Sequence, residues 1–208
     1  MAGRELDWKY AEDYRPERED IAVLRQHSIE LGIDPVSTAT GAHLAFMAAA
    51  TGASSIIEIG TGLGVSGLWL MSGAPAASFT SIDSEADYQQ VAKAALGEAG
   101  VAASQLRHIT GDARRVLPRM NEESYDLVFV DADAAHVAEY VDHGLRLVSA
   151  GGVILVAHAL WRSKVADPAQ RDAPVPGLRS VLSLYADSAA VTVALSTVGD
   201  GLLQLVKK

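Results

Sequence analysis

Four acidic residues each end, or directly follow, an apolar run with the pattern of a buried strand. They are Glu58, Asp83, Asp112 and Asp131. Because the carboxyl ends of parallel strands meet at the same edge of a sheet, we expect these four side chains to converge on one rim. Several carboxylates on one rim suit a nucleoside-like ligand that carries a positive charge. The spacing therefore predicts a binding site for a small charged molecule.

A glycine-rich turn follows the first of these acids. Residues 55–59 have the pattern of a short strand, and Gly60-Thr61-Gly62-Leu-Gly64 leads into an apolar, helix-compatible run. Glycine allows positive φ angles and lets a ligand approach the bare backbone. The N-terminus of the helix that follows attracts electron-rich groups. Strand, turn and helix together predict a nucleotide-binding edge.

The carboxylate of Glu58 helps to decide which nucleotide binds. Residues 62–67 satisfy the dinucleotide pattern G-x-G-x-x-G, which is a weak signal by itself. A pyrophosphate gains nothing from a negative charge two residues before Gly60, whereas the sulfonium and ammonium of S-adenosylmethionine do. The alternative is that Glu58 is a solvated strand end. Asp83 fits hydrogen bonds from ribose hydroxyls with either ligand. Asp112 fits an adenine amino group or the N-cap of the next helix.

Composition excludes several other classes of protein. The chain has 208 residues, a formal net charge of −9 and no cysteine. An acidic chain is a poor partner for nucleic acid, and without thiols there are neither disulfides nor thiolate metal sites. The polar segment 1–10 has no signal-peptide core, and no apolar run suits a membrane span. We expect a cytoplasmic protein with neither a nucleic-acid nor a membrane partner.

Strands and helices alternate along most of the chain. This order predicts an α/β fold with a doubly wound, mostly parallel sheet, helices on both faces and a C-terminal antiparallel hairpin strand. We expect a single domain over 1–208, with a helical cap at 1–52 and a cofactor-binding core at 53–208. Segment 166–177 is predicted to be a lid or edge loop. The predicted strands are 55–59, 78–82, 106–110, 125–130, 153–156, 190–195 and 202–206, and the predicted helices are 15–31, 39–51, 65–72, 85–99, 113–119 and 134–148.

The motifs, in this order, resemble those of the class I S-adenosylmethionine-dependent methyltransferases. Among these, the chain is similar to the small O-methyltransferases related to catechol and caffeoyl-CoA O-methyltransferases, which include bacterial members. The resemblance implies a Rossmann-like methyltransferase sheet, methyl transfer to a small, aromatic hydroxyl compound, and a homodimer. The matching segments are 58–66, 81–83, 111–113, 125–133, 147–153 and 199–202.

The same resemblance assigns roles to individual residues. Asp112 and Ala113 would line the adenine, and Val36 would close over the methionine end of the cofactor. Asp131 would face both cofactor and acceptor. The residues implied in S-adenosylmethionine binding are Val36, Glu58, Gly60, Thr61, Gly62, Ser66, Asp83, Asp112, Ala113 and Asp131.

Two positions depart from the family pattern. Family members usually have a lysine three residues after the aspartate that Asp131 matches, but here the residue is Ala134. They also end the next strand with Asp-Asn, which completes a divalent metal site, and here the pair is Ala157-His158. Magnesium prefers oxygen ligands, although a softer metal tolerates a carboxylate with an imidazole. No metal ligand is therefore assigned, and the usual mechanism with metal and lysine is not expected.

Two interpretations of the chemistry remain open. In the first, His158 or His136 replaces the missing base, because a neutral imidazole can take a phenol proton near pH 7. Asp131 and His158 are then the catalytic candidates. In the second, the protein only holds the acceptor oxygen and the methyl group in line. Trp161 and Trp69 could supply a flat apolar surface for an aromatic acceptor, although both also fit a core position.

Two functions of other classes compete with methyl transfer. A nicotinamide-dependent oxidoreductase is supported by residues 62–67 and Asp83, but leaves Glu58 and Asp112 unused. A catalytically degenerate S-adenosylmethionine-binding sensor or interaction protein would explain the loss of both the lysine and the Asp-Asn pair. A fold by itself does not decide between these functions.

Overall fold

A computed structural model of the chain describes residues 2–208 and contains one seven-stranded sheet. The strands lie in the order β3-β2-β1-β4-β5-β7-β6. The strands are β1 Ser55–Ile59, β2 Ser78–Asp83, β3 Leu106–Thr110, β4 Tyr125–Val130, β5 Val148–Val156, β6 Val191–Ser196 and β7 Leu202–Lys207. The helices are α1 Ala2–Asp13, α2 Glu19–Glu30, α3 Thr38–Ala50, α4 Val65–Gly73, α5 Ala86–Glu98, α6 Ala113–Val116, α7 Val137–Leu147 and α8 Val175–Ala186, with short 3-10 turns at Ala103–Gln105, Leu117–Arg119 and Ala134–His136.

The sheet is parallel except at the strand that returns last. β1 pairs in parallel with β2 and with β4, and β5 continues this parallel set beside β4. β7 enters between β5 and β6 and is antiparallel to both. The predicted doubly wound, mostly parallel sheet with an antiparallel C-terminal hairpin is therefore confirmed.

Each central strand contributes side chains to two separate cores. In β4, Leu127 and Phe129 pack against the face covered by α2, α3 and α4, while Val128 and Val130 pack toward α7 and α8. Successive side chains of a strand point to opposite faces, so a strand buried on both sides has an almost unbroken apolar sequence. The helices on both faces, which this pattern predicted, are present.

The two ends of the chain contain helices that the sequence analysis missed. The polar N-terminal segment forms α1, which has Glu5 in its first turn and exposed side chains along most of its length. The predicted loop 166–177 ends early, because α8 begins at Val175 and continues to Ala186. β5 also begins at Val148, five residues before the predicted strand, and so includes the pair Gly151-Gly152.

No helix within residues 2–208 has the length and apolar character needed to cross a membrane.

A polar cluster fastens the segment before α2 to α4. Arg25 pairs with Glu17 through two hydrogen bonds, and Glu17 also accepts the indole N–H of Trp69. The guanidinium of Arg15 lies 5.0 Å from the centre of the Trp69 ring. Trp69 is only 2% exposed. The suggestion that Trp69 offers a surface to an acceptor is therefore wrong, because the ring is part of the core.

Candidate functional site

The carboxyl ends of the parallel strands surround a cavity of about 450 Å³. Its wall includes three of the four predicted acids, Asp83, Asp112 and Asp131. The loops after β1, β2, β3 and β4 supply most of the other lining residues. Of the predicted cofactor residues, those on this wall are Gly60, Gly62, Asp83, Asp112, Ala113 and Asp131.

The turn after β1 is packed too closely for side chains at two positions. Gly60 has φ of +92°, and a Cβ atom there would lie 2.0 Å from the backbone oxygen of Asp131. Gly64, with φ of +99°, is the residue before α4. Glycine adopts such angles without steric cost. The close contact at Gly60 shows that the turn after β1 lies directly against Asp131, the first residue after β4.

The carboxylate of Asp83 holds the glycine turn in place. Its Oδ2 atom accepts hydrogen bonds from the backbone N–H groups of Thr61 and Gly62, each at 2.9 Å. Its Oδ1 atom accepts from the N–H of Glu85 at 2.9 Å. Asp83 thus joins the ends of β1 and β2, which fixes the shape of the cavity. Its Oδ1 atom retains a lone pair that a ribose hydroxyl could use.

Glu58 is fully buried inside β1 rather than exposed at the strand end. Its Oε1 atom accepts a hydrogen bond of 2.5 Å from Ser66 Oγ, but its Oε2 atom has no hydrogen-bond partner. Burial raises the pKa of this carboxyl well above its usual value, the bond from Ser66 opposes that change, and Asp131 and Asp83 add to it. A buried carboxylate oxygen without a partner is costly, so a cation that reached it would relieve a large penalty. The alternative of a solvated strand end is wrong.

Asp112 forms the N-cap of α6, as the alternative interpretation of this residue predicts. Its Oδ1 atom accepts from the backbone N–H of Arg114 at 2.9 Å, and the guanidinium of Arg114 pairs with both of its oxygens. These bonds from Arg114 lower the pKa of the Asp112 carboxyl. Asp112 still lines the cavity, so a capping role and a ligand contact are compatible.

Val36 lies over a smaller cavity of about 60 Å³ beside the glycine turn. The side chain is 2% exposed, and its backbone oxygen accepts a hydrogen bond from Arg25. Thr61 and Ser66 line the same cavity, on the side where Glu58 is buried. The structure therefore brings the N-terminal segment, the turn and the buried carboxylate together.

A second large cavity, of about 370 Å³, lies on the other side of Asp131. Here His158 stands between two carboxylates. Its Nε2 atom is 3.4 Å from Asp131 Oδ1, and its Nδ1 atom is 3.4 Å from Asp200 Oδ2. Trp161 packs edge-on against the imidazole with 6.4 Å between ring centres, and it lines this cavity too. The two catalytic candidates therefore meet where the two cavities share a wall.

Burial raises the pKa of Asp131 to about 6, while His158 opposes the change and Asp34 adds to it. Burial at this position therefore disfavours the charged form of the Asp131 carboxyl.

Sequence reasoning missed Asp200 and also Arg162. Gly199-Asp-Gly201 matches the family pattern and fits the turn before the last strand, but the sequence analysis assigns no role to its acid, although an acid between two glycines was a usable signal. Asp200 accepts the backbone N–H of Arg162, whose guanidinium pairs with Asp34 across the mouth of the second cavity. His136, the other candidate base, lines only the first cavity of these two, with its Nε2 atom 3.8 Å from Asp133.

The side chains at the position of the family's metal site are a poor match for a divalent metal. Asp131 supplies oxygen, His158 supplies nitrogen, and Ala157 supplies no ligand atom. Within residues 2–208, no group of three or more His, Asp or Glu side chains is placed to hold a metal ion. Magnesium takes oxygen ligands in octahedral geometry, and this pair offers one carboxylate.

Comparison with known proteins identifies the relatives of this chain. Residues 15–208 match the sequence profile of a family described as O-methyltransferase. A Mycobacterium avium protein, provisionally named an O-methyltransferase, is 43% identical over 188 residues, which cover 90% of this chain and 85% of the relative. A Mycobacterium marinum protein with the same provisional name is 42% identical over 204 residues, which cover 98% of this chain and 91% of the relative.

Solved structures share the fold along the whole chain. A crystal structure of a Corynebacterium glutamicum protein superposes with a TM-score of 0.89 at 28% identity, and covers 100% of this chain and 97% of the other. The O-methyltransferase TomG of Streptomyces achromogenes, which is involved in tomaymycin synthesis and was crystallised with S-adenosylmethionine, gives 0.84 at 30% identity, with 98% and 96% covered.

Proposed function

The chain belongs to the O-methyltransferase family, and on that premise we propose that it transfers a methyl group from S-adenosylmethionine to the hydroxyl of a small aromatic acceptor, with His158 as the base and without a divalent metal. The observation that carries the proposal is the placement of His158 Nε2 beside Asp131, which lines both cavities.

The first cavity suits S-adenosylmethionine in shape and charge. The ammonium of its methionine end would extend into the smaller cavity that Val36 and Thr61 line, and its charge would balance that of the buried Glu58 carboxylate. Asp83 Oδ1 offers a lone pair to a ribose hydroxyl, and Asp112 and Ala113 lie at the end where the adenine would sit. Gly60 and Gly62 allow the backbone to approach the ligand closely.

The reaction requires the acceptor hydroxyl to lose its proton as its oxygen is methylated. Bound S-adenosylmethionine supplies an electrophilic methyl group on a sulfonium. An oxygen lone pair of the acceptor forms the new bond to that methyl carbon, the carbon–sulfur bond breaks, and its electrons stay on sulfur. His158 Nε2 accepts the proton that the hydroxyl loses. The carboxylates of Asp131 and Asp200 stabilise the imidazolium that results.

The second cavity suits an aromatic acceptor. Its volume of about 370 Å³ falls within the usual range of small-molecule sites. Trp161 and Ile33 supply apolar surface, and Asp131 and His158 converge on the wall nearest the first cavity. A flat ring between apolar side chains, with its hydroxyl toward His158, fits this arrangement.

The ligand set supports methyl transfer without a metal. Because one carboxylate and one imidazole are a poor magnesium site, the acceptor oxygen would be activated by loss of its proton to His158 while it bonds to the methyl carbon, instead of by coordination to a metal. We therefore expect turnover of catechols and hydroxylated aromatic acids by isotope-labelled S-adenosylmethionine to be the same with and without EDTA. The assay follows label in the extracted product, after cofactor binding has been confirmed by calorimetry.

Other outcomes of this assay point to the competing functions. Turnover abolished by EDTA would contradict the metal-free route. Cofactor binding with no turnover on any acceptor would favour a sensor or interaction protein. Tight NAD binding with no affinity for S-adenosylmethionine would favour an oxidoreductase, which the family assignment and the buried Glu58 both oppose.

We also propose a homodimer formed through the N-terminal helices. Large apolar side chains are exposed on α1, α2 and α3 or directly after α1 and α2, and exposed apolar surface of this kind often marks a protein–protein contact. They are Leu6, Trp8, Tyr10, Tyr14, Val23, Ile29, Leu31 and Phe46, the last with 63% of its surface accessible. Light scattering at micromolar concentration should give a mass twice the chain's 21.9 kDa. A monomer mass would contradict the proposal.

A further inference from the structure

The segment after β5 contains an unusual concentration of left-handed backbone. His158, Trp161, Arg162 and Ser163 have φ angles of +54°, +46°, +52° and +64°. This conformation is sterically unfavourable for residues other than glycine, so a cluster of four persists only where the surroundings impose it. Strain of this kind collects at functional sites, and here it begins at the proposed base.

The turn Gly199–Gly201 imposes this conformation. The backbone oxygen of Gly201 accepts the N–H of Ala159 at 2.9 Å, and that of Asp200 accepts the N–H of Leu160 at 3.0 Å. The Oδ1 atom of Asp200 accepts the N–H of Arg162. Three successive contacts therefore hold the strained segment against the turn, and the second oxygen of Asp200 is left for His158.

The turn itself has little freedom to move. A Cβ atom at Gly199 would lie 2.2 Å from Thr40 Oγ1, and one at Gly201 would lie 2.5 Å from Leu160 Cγ. The N–H of Gly199 also donates to Glu12 Oε1 at 3.0 Å. Asp200 is thus fixed between two glycines that are packed on both sides, which sets the position of its carboxylate.

We propose that Asp200 is a positioning residue: it accepts a hydrogen bond from the Nδ1–H of His158, and so keeps Nε2 unprotonated and directed toward Asp131 and the cavities. The inference rests on the proposed function, since it assigns how the base is prepared. A carboxylate accepts hydrogen bonds and cannot donate one. Asp131 and Asp200 both lie 3.4 Å from the ring, but of these two contacts it is the one between Nδ1 and Asp200 Oδ2 that has the geometry of a hydrogen bond, which favours the tautomer with the proton on Nδ1. Which nitrogen carries the proton decides whether an imidazole can serve as a base.

The first test reads the tautomer directly and needs no substrate. Long-range ¹H–¹⁵N spectra of the full-length protein report the protonation of each nitrogen in its 6 histidines, and His158→Ala identifies the signals of His158. At a pH where the ring is neutral, we expect the proton on Nδ1. In Asp200→Asn, where an amide N–H₂ can face Nδ1, we expect it on Nε2. A proton on Nε2 in the native protein overturns the inference, whether or not an acceptor has been found.

The second test separates positioning from a merely structural role. The side chain introduced by Asp200→Asn keeps an oxygen that can accept the N–H of Arg162, so a purely structural Asp200 predicts full activity. We expect kcat to fall about tenfold to a hundredfold, with the Kd of S-adenosylmethionine unchanged and the acid limb of the pH profile displaced to lower pH. Asp34→Asn, which alters the partner of the Arg162 guanidinium, should leave the tautomer unchanged. Native kcat and an unmoved acid limb in Asp200→Asn would overturn the proposal and leave methyl transfer by the native protein intact.

Discussion

Replacing His158 by alanine should lower kcat for methyl transfer about a thousandfold while leaving S-adenosylmethionine binding unchanged. General bases typically contribute 10²–10⁴-fold to a rate. His158 is the imidazole that lies between the carboxylates of Asp131 and Asp200. The acceptor hydroxyl would lose the group that takes its proton, while the first cavity loses no lining residue. Steady-state kinetics and calorimetry on the same preparation measure the two effects.

Two other histidines provide matched controls for this experiment. His136→Ala changes the second candidate base, which lines the first cavity, and His27→Ala changes an exposed residue of α2. We expect native kcat from His27→Ala and at most a modest change from His136→Ala. A large loss of kcat in His136→Ala, with native kcat in His158→Ala, would identify His136 as the base. Native activity in both His136→Ala and His158→Ala would favour catalysis by positioning alone.

Glu58→Gln should weaken S-adenosylmethionine binding by about a hundredfold or more. Glutamine keeps an acceptor for Ser66 but replaces the unpartnered oxygen with an uncharged amide. Removing one member of a buried charge pair costs about 2–5 kcal/mol, and tenfold in affinity corresponds to about 1.4 kcal/mol. Isothermal titration with S-adenosylmethionine measures the change. An unchanged Kd would show that the ammonium binds elsewhere.

The same substitution should make the ligand-free protein more stable at high pH. Because burial raises the pKa of Glu58, the folded state binds a proton more tightly than the unfolded state does. The native protein therefore loses stability as the pH rises from the ordinary value of 4.5 toward the raised pKa, and Glu58→Gln does not. We expect its Tm to exceed that of the native protein at about pH 8 and the difference to shrink toward the ordinary pKa of the carboxyl. Glu98→Gln, which changes an exposed residue at the end of α5, should have the same Tm as the native protein both at about pH 8 and near the ordinary carboxyl pKa of 4.5.

The central sheet could be predicted because its residues obey one physical rule. A parallel strand that is buried on both faces must be apolar throughout, and residues 125–130 show this directly. The ends of the chain follow no such rule. α1 is rich in charged residues, and its large apolar side chains, Leu6, Trp8 and Tyr10, alternate along the sequence instead of recurring at the helical period, so no amphipathic pattern reveals the helix. The prolines at 174 and 176 suggested a loop, but a proline is well tolerated in the first turn of a helix such as α8.

The site could be predicted only where one residue type and one position decide the role. The glycines of the turn and the acids after the strands belong to this group, and the cavity between the sheet's strand ends includes most of them. The contact between His158 and Asp200 joins residues 42 positions apart and depends on how β7 enters the sheet. No local pattern encodes that distance. The buried oxygen of Glu58 likewise depends on the packing of α4 over β1.

The position of β7 between β5 and β6 has a consequence for the order in which the protein forms during its synthesis. Glu12 bonds to Gly199 across 187 positions of sequence, and Asp200 bonds to a segment made about forty residues earlier. A ribosome that has released only the first five strands exposes a chain whose glycine turn, Glu58 and Asp83 are complete, but whose His158 has no partner at Nδ1. Contacts between distant segments form late, because closing the intervening loop costs entropy. If the proposed roles hold, the nascent chain acquires the residues for its methyl donor well before His158 gains the carboxylate that would prepare it as a base.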